Sequence, residues 1–374
     1  MKNGKLEEND VLLVKDGATI GKVVYVEKVP EGRAAVNSHV YVLKPSDQLH
    51  GRLVAYQLWS SWVQRQIQLF IRGSAQAGLP QTFADEVLLT LPPIKTQNDI
   101  VSFLDKHTAR IDALIDKKGQ LLKFLENKKK SVVTHAITNG IQNEMPRKQS
   151  GFQWLGKIPE HWDVTKLMYL IREDAHLVYG ILKPGPHVEN GVPYLGAGDV
   201  TQRRLSLDEL PRTSNEIAEE YERSKMNAGE LVYAIRGSIG SVAVIPEELD
   251  GVNLSRDAAR IAPKESVDNF WLCWALRSES SQRQFEVDEK GATITGVNIR
   301  DLKRLILPLP PLEEQKEIAT YLSEYDNKYQ KQRDVINRGI LLLKEKREAL
   351  ITKAVTGQLN LSDWEGQDDQ ELLA

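Results

Sequence analysis

The sequence predicts an α+β protein of two β-rich units, the first one partial, each followed by a long helix, with the two helices pairing as an antiparallel coiled coil. Three observations predict it. Leu91-Pro92-Pro93 returns as Leu309-Pro310-Pro311, and the spacing of 218 residues runs on without a gap, pairing Gln97 with Gln315, Ile100 with Ile318, Leu104 with Leu322, Leu125 with Leu343 and Lys128 with Lys346. The same spacing joins Thr134-x-Ala136-x-Thr138 to Thr352-x-Ala354-x-Thr356. Upstream, the run Asp10 to Gly17 matches Glu230 to Gly237 at a spacing of 220, Ile20-Gly21 matches Ile239-Gly240 after one deletion, and Val36-Asn37 finds Val252-Asn253. The repeated unit is therefore a β-rich segment together with the helix behind it.

Residues 1–92 make the first, partial β-rich unit. Val11 to Val14, Val23 to Val26 and Ala34 to Leu43 are rich in β-branched residues and read as strands around the turn Lys15-Asp16-Gly17-Ala18-Thr19-Ile20-Gly21. Gly17-x3-Gly21-Lys22 resembles a phosphate loop only superficially. Its spacing is wrong, no Ser or Thr follows the lysine, and the second copy has Ser241 where Lys22 stands. Glycines supplying positive φ in a hairpin account for both copies. Gln57 to Phe70 is amphipathic with helical period, as is its counterpart Asn269 to Phe285, and the indoles of Trp59, Trp62, Trp271 and Trp274 read as core. Two glycine-punctuated loops follow, Arg72 to Gly78 and Lys290 to Gly296, each with one cation and small polar side chains, then strands at Val87 to Leu89 and Leu305 to Leu307. Such loops suit contacts to base edges or phosphates, and suit plain connections equally well.

Residues 93–141 are the first long helix and 309–360 the second. Pro93 and Pro311 suit a first helical turn and not an interior. A seven-residue frame puts Ile100, Leu104, His107, Ile111, Leu114, Lys118, Leu121, Leu125, Lys128 and Val132 at a and d in the first. In the second it holds Ile318, Leu322, Tyr325, Tyr329, Gln332, Ile336, Gly339, Leu343, Lys346 and Leu350. A helix from Gln97 to Ile137 would run about 60 Å at ~1.5 Å per residue, and its own repeat is the obvious partner. Residues 142–150 are a polar linker after Asn139-Gly140, residues 151–308 a second β-rich unit containing the strand and turn Pro193 to Val200, and residues 361–374 an acidic tail expected to be disordered. The two units differ in length: about eighty residues separate Gly151 from Glu230, while Asp10 is reached after nine, so roughly the first seventy residues of a first unit have no counterpart.

A net charge of −3 with 27% charged and 41% hydrophobic residues is ordinary soluble composition and gives no global sign of a polyanion partner. Lys95 to Lys148 is the local exception, with eleven Lys/Arg against six Asp/Glu, which is also what a solvated helix face would show. Cys273 stands alone, which excludes a disulfide framework and a multi-cysteine zinc site, and the seven histidines lack ligand spacing. With no apolar run of about 18 residues and no leader pattern at Met1, a cytoplasmic protein without membrane contact is expected. Neither a P-loop nor an N-P-P-Y/F methyltransferase signature is present, so no cofactor is expected.

Trp154-Leu-Gly-x-Ile-Pro-x-His-Trp162, the turn Arg236-Gly-Ser-Ile-Gly240, Leu309-Pro-Pro-Leu-x-Glu-Gln315 and the helix exit Thr352-x-Ala-Val-Thr-Gly357 together resemble the specificity (S) subunit of type I restriction–modification enzymes. The resemblance covers nearly the whole chain. It implies two target-recognition domains, each reading half of a split site in double-stranded DNA, and two conserved helices that pack antiparallel and dock methyltransferase (M) subunits. It also implies a non-catalytic chain that makes a DNA-adenine methyltransferase with M and an ATP-dependent endonuclease with the restriction (R) subunit. Two units about 60 Å apart would suit half-sites nearly two duplex turns apart, at ~34 to 36 Å per turn. The short first unit implies truncation, a split gene or an internal start, with the missing half supplied by a second S fragment or by self-association. Candidate DNA contacts are Lys15, Thr19, Arg72 and Gln76 in the first unit and Arg203, Arg204, Arg236, Ser238, Arg256, Lys290, Thr293 and Thr295 in the second. Candidate coiled-coil and M-docking positions are Ile100, Leu104, Ile111, Leu121, Leu125, Ile318, Leu322, Ile336, Leu343 and Leu350; no catalytic or metal residues are expected. A free-standing site-specific nuclease would need an acidic metal cluster absent from both repeats. A coiled-coil adaptor without DNA binding would leave the loops at Arg72 and Lys290 idle.

Overall fold

The computed structural model describes residues 6–29, 36–71, 78–142, 144–201, 207–286 and 296–360. The chain divides into two compact units, unit 1 of Met1–Leu122 with Arg333–Ala374 and unit 2 of Lys123–Gln332. Each holds a β-rich part and a stretch of each long helix.

In unit 1, β1 (Val11–Val14) lies between β2 (Val23–Tyr25) and β3 (Val40–Leu43) in an antiparallel sheet. Its period-2 alternation buries Val11 and Leu13 against Val54, Leu58, Val63 and Ile67. Helices α1 (Gly51–Trp59) and α2 (Ser61–Phe70) cover that face. The single helix expected from Gln57 to Phe70 is two. Ser60 is extended, its N–H closes α1 on the Tyr56 carbonyl at 3.0 Å, and its Oγ caps α2 by accepting the Val63 N–H at 3.3 Å. Gly51 is required where it stands, since a Cβ there would lie 2.4 Å from the Asn9 carbonyl oxygen. After α3 (Phe83–Glu86) the strand expected at Val87 to Leu89 does not form; the segment is extended but has no neighbouring strand to pair with among the described residues.

The long helix α4 (Ile94–Asn139) opens in unit 1, where Ile100, Leu104 and Ile111 pack with Leu53, Tyr56, Leu350, Ile351 and Ala354. A bidentate pair, Arg347 Nε to Asp112 Oδ1 at 2.8 Å and a second contact at 3.2 Å, ties the two long helices together. Further along, the Lys118 side chain lies against Gly339, so the helices run antiparallel in this unit. Leu343 is partly buried in the same cluster and Ile336 is buried. Leu121 is 44% exposed, contrary to its place in the heptad frame, because lysine–glycine and ion-pair contacts fill the neighbouring part of the seam.

In unit 2, β4 (Arg147–Gln149) pairs with β5 (Lys157–Pro159), and β6 (Asp163–Lys166) leads into α5 (Leu167–Leu170). Strand β7 (Val192–Leu195) pairs antiparallel with β8 (Arg212–Thr213), which precedes α6 (Asn215–Glu220). The repeat of the unit 1 sheet follows: β9 (Leu231–Ala234) lies between β10 (Val242–Val244) and β12 (Ala258–Ile261), while β11 (Asn253–Leu254) pairs parallel with β7. Helices α7 (Asn269–Arg277) and α8 (Glu279–Glu286) break at Ser278 as α1 and α2 break at Ser60. Trp271 and Trp274 are buried core, as expected. Helix α9 (Ile299–Arg304) precedes β13 (Ile306–Leu309), which pairs antiparallel with β6, and α10 (Leu312–Val355) closes the order. Ile318 and Leu322 are buried with Val133 and Ala136 in the main core, Lys129 Nζ meets Asp326 at 2.5 Å and Leu125 is half-buried. The register places Val40–Leu43 at a spacing of 218 from Ala258–Ile261, so the match of Val36-Asn37 with Val252-Asn253 does not continue into the strands.

Candidate functional site

In unit 2 the β9–β10 turn carries Arg236-Gly237-Ser238-Ile239-Gly240, with Gly237 and Gly240 at φ of 68° and 81°. Positive φ at both lets the chain reverse within this short turn, which leaves Arg236 exposed and Ser238 partly buried. The backbone N–H of Ile235 donates to the Asp257 carbonyl at 2.9 Å, and that of Val297 donates to the Ile235 carbonyl at 2.8 Å. The turn is thus held between the segment before β12 and the segment before α9.

Arg236 and Arg256 converge on one carboxylate, with nitrogens 3.9 and 3.7 Å from Asp257 Oδ1. Their side chains are 59% and 56% exposed, so the acid orients two cations without neutralising their outer faces. Ser238 donates to the Ala197 carbonyl at 2.7 Å. A Cβ on Gly296 would lie 3.2 Å from Arg236 Cγ, and the Tyr179 hydroxyl accepts the Ile299 N–H at 3.2 Å. Arg236, Ser238 and Arg256 therefore share one edge. Arg203, Arg204, Lys290, Thr293 and Thr295 lie outside the described residues.

Unit 1 repeats this frame with different chemistry. Lys15 N–H donates to the His39 carbonyl at 3.0 Å, and Leu79 N–H donates to the Lys15 carbonyl at 2.7 Å, matching the bonds of Ile235 one for one. Asp16 then stands where Arg236 stands, and His39 where Asp257 stands. The imidazole and carboxylate pair, so the acid of each pair stands on opposite partners in the two units. Lys15 Nζ lies 5.3 Å from the centre of the Tyr41 ring, whose hydroxyl donates to the Leu79 carbonyl at 3.1 Å. Burial, reinforced by the Asp16 charge, pushes the Tyr41 phenol up from its ordinary value, which keeps it a donor. Thr19 is exposed on the turn, and Arg72 and Gln76 lie outside the described residues.

Sequence reasoning missed Asp257, His39, Tyr41 and Tyr179. Asp257 and His39 fall on the 218-residue spacing that aligns β3 with β12, a signal that the sequence does carry. Tyr41 and Tyr179 carry none. Among the described residues no group of three or more His, Cys, Asp or Glu is placed to hold a metal ion, and no helix is long and apolar enough to cross a membrane.

Two repeated units, each with a hairpin turn held on a β-sheet and followed by a long helix, form a tandem of non-identical copies built on one plan. Residues 2–123 and 184–338 match the family described as the type I restriction modification DNA specificity domain, and the chain belongs to that family. It is 28% identical over 292 residues to the type I restriction enzyme EcoBI specificity subunit of Escherichia coli, covering 76% of this chain and 60% of that protein. It is 23% identical over 364 residues to the MjaVIII specificity subunit of Methanocaldococcus jannaschii, covering 95% of this chain and 78% of the relative. A solved structure concerned with complex assembly and conformational transition of the type I R-M system shares the fold, with a TM-score of 0.74 at 18% identity over 95% of this chain and 83% of that one.

Proposed function

We propose that this chain is the DNA sequence-specificity subunit of a type I restriction–modification complex, reading a bipartite site in double-stranded DNA and docking methyltransferase and restriction subunits while contributing no chemistry itself. The observation that carries the reading is the family match of both repeats, together with two exposed arginines, one from the β9–β10 turn and one from the segment before β12, oriented on one carboxylate of unit 2. Arginine is the side chain best suited to bidentate contact with guanine or phosphate. Residues 1–92 and 151–308 are the proposed recognition domains, with Arg203, Arg204, Lys290, Thr293 and Thr295 joining Arg236, Ser238 and Arg256, and Lys15, Thr19, Arg72 and Gln76 serving the first.

The helices at residues 93–141 and 309–360 are the proposed M dock. Leu121 in unit 1 is 44% exposed, as are Val335, Leu341 and Leu342 at 72, 55 and 55%, which suits a surface that another chain covers. In the cell the protein is proposed to be cytoplasmic, where its DNA substrate and subunits are.

The test is a salt series. Replacing Arg236 and Arg256 by Ala should weaken binding of the chain, in complex with M, to its DNA site. It should also flatten the dependence of log affinity on log salt by about 0.9 for each phosphate that is no longer neutralised. Unchanged affinity and slope in the double variant would remove this edge from the DNA interface.

A further inference from the structure

The hairpin turns of the two units are anchored by the same parts. In unit 1, Gln64 Nε2 donates to the Gly21 carbonyl at 3.0 Å and to the Leu58 carbonyl at 2.7 Å. In unit 2, Gln282 Nε2, 218 residues further on, donates to the Gly240 and Leu276 carbonyls at 3.5 and 2.6 Å. Gly17 and Gly21 hold φ of 88° and 85°, where Gly237 and Gly240 hold 68° and 81°. Gly78 and Gly296, again 218 residues apart, each back one side chain of the turn. A Cβ on the first would lie 3.6 Å from Asp16 Cβ, and on the second 3.2 Å from Arg236 Cγ. Together with the matched backbone bonds of Lys15 and Ile235, these contacts project residues 16 and 236 from equivalent points of their sheets.

The groups projected there have opposite hydrogen-bonding capacity. The Arg236 guanidinium offers donors only, its side chain is 59% exposed, and Asp257 restrains it from one side. An ionised Asp16 offers acceptors only, on a side chain that is 35% exposed. Its Oδ1 accepts from His39 Nδ1, which fixes the plane of the carboxylate, and its Oδ2 makes no hydrogen bond among the described residues.

The two groups therefore suit different edges of a base pair. Guanine presents O6 and N7 acceptors in the major groove, which an arginine takes as a fork, and cytosine presents an N4 amino donor, which an aspartate takes. Phosphate repels a carboxylate, so Asp16 gains on duplex DNA only at a base edge.

We infer that residues 16 and 236 are equivalent base-reading positions of opposite polarity. Arg236 selects a guanine in one half of the site, and Asp16 selects a cytosine in the other. Asp257 and His39 are their positioning residues. The inference rests on reading the chain as a DNA specificity subunit, and it names the base that each repeat prefers at one position.

The test sequences duplexes selected from a random library by the full chain in complex with methyltransferase subunits, for wild type, Arg236→Gln and Asp16→Asn. Wild type should enrich guanine at one pair and cytosine at another, in different halves of the motif, each at least about fivefold over the other bases. Glutamine and asparagine both match adenine in a bidentate fashion. Each variant should therefore lose its own preference and gain adenine there, with the other half of the motif unchanged. Asparagine still accepts from His39 Nδ1, so the Asp16→Asn turn keeps its frame.

The wild-type motif returned by either variant, or one base pair changed by both, overturns the inference. So does a uniform loss of affinity in Arg236→Gln with an intact motif and a shallower salt dependence, which would put Arg236 on a phosphate. A variant too weak to select is assayed by competition between the wild-type duplex and its single adenine replacement. Equal or inverted preference there supports the inference, and an undiminished wild-type preference overturns it. Enrichment by wild type with both variants unmoved leaves the specificity-subunit reading standing, whereas no enrichment by wild type removes both.

Discussion

Gln97 and Gln315 are each 1% exposed, and each bridges the same three parts of its unit: the loop before the first helix of the pair, the Leu-Pro-Pro segment and the long helix. Their pairing was legible in the sequence as identity at a fixed spacing. Their role was not, because a glutamine's partners here are backbone groups, which leave no mark on residue type. The same holds for Gln64 and Gln282. His107 shows a residue effect with a direct readout. It is 9% exposed, and burial, with Lys106 and Arg110 adding to it, holds its imidazole below the ordinary value of 6.5. The unfolded chain therefore takes up the proton first as pH falls, so the stability tied to neutral His107 is present above 6.5 and is lost as pH drops through and below that value. Denaturant melts of unit 1 from pH 7.5 to 5.0 should show a decline that His107→Leu flattens; an unchanged slope in the variant would mean that other groups carry the acid sensitivity.

The long helices were the most legible elements, since Leu-Pro-Pro starts and a repeated apolar stripe leave little choice of structure. Four expectations at this scale failed, each for a reason outside local periodicity. Gln57 to Phe70 and Asn269 to Phe285 each break because a serine hydroxyl competes for a backbone N–H. Val87 to Leu89 has the composition of a strand but no partner among the described residues. Leu121 fits the heptad and is exposed, because the seam near it is made by Lys118 against Gly339 and by Asp112 with Arg347. Apolar packing should therefore dominate where it exists. Leu104 is fully buried, and Leu104→Ala should cost about 2–5 kcal/mol in urea denaturation. Asp112→Ala, which breaks a half-exposed ion pair, should cost no more than about 1 kcal/mol. A reversed order would show that ion pairing and not packing holds the helices together in unit 1.

At the scale of the molecule, composition said little: a net charge of −3 gives no hint of a DNA partner. The internal repeat said most, and it gave the plan of both units because the same hydrogen bonds recur around Lys15 and Ile235. What it does not mark is the change of side chains at that frame, Asp16 with His39 in one unit and Arg236 with Asp257 in the other, since a repeat reports shared scaffold and not the positions where its copies differ. The proposal that residues 151–308 carry their own sequence preference is therefore the centre of the account. It is tested most directly by selecting and sequencing bound duplexes from a random library, using the chain in complex with methyltransferase subunits. The same selection is then run after residues 151–308 are replaced by the equivalent segment of the Escherichia coli relative. An enriched motif is expected, one part of which changes with the replacement while the rest is retained. An unaltered motif, or no enrichment with either chain, would contradict it.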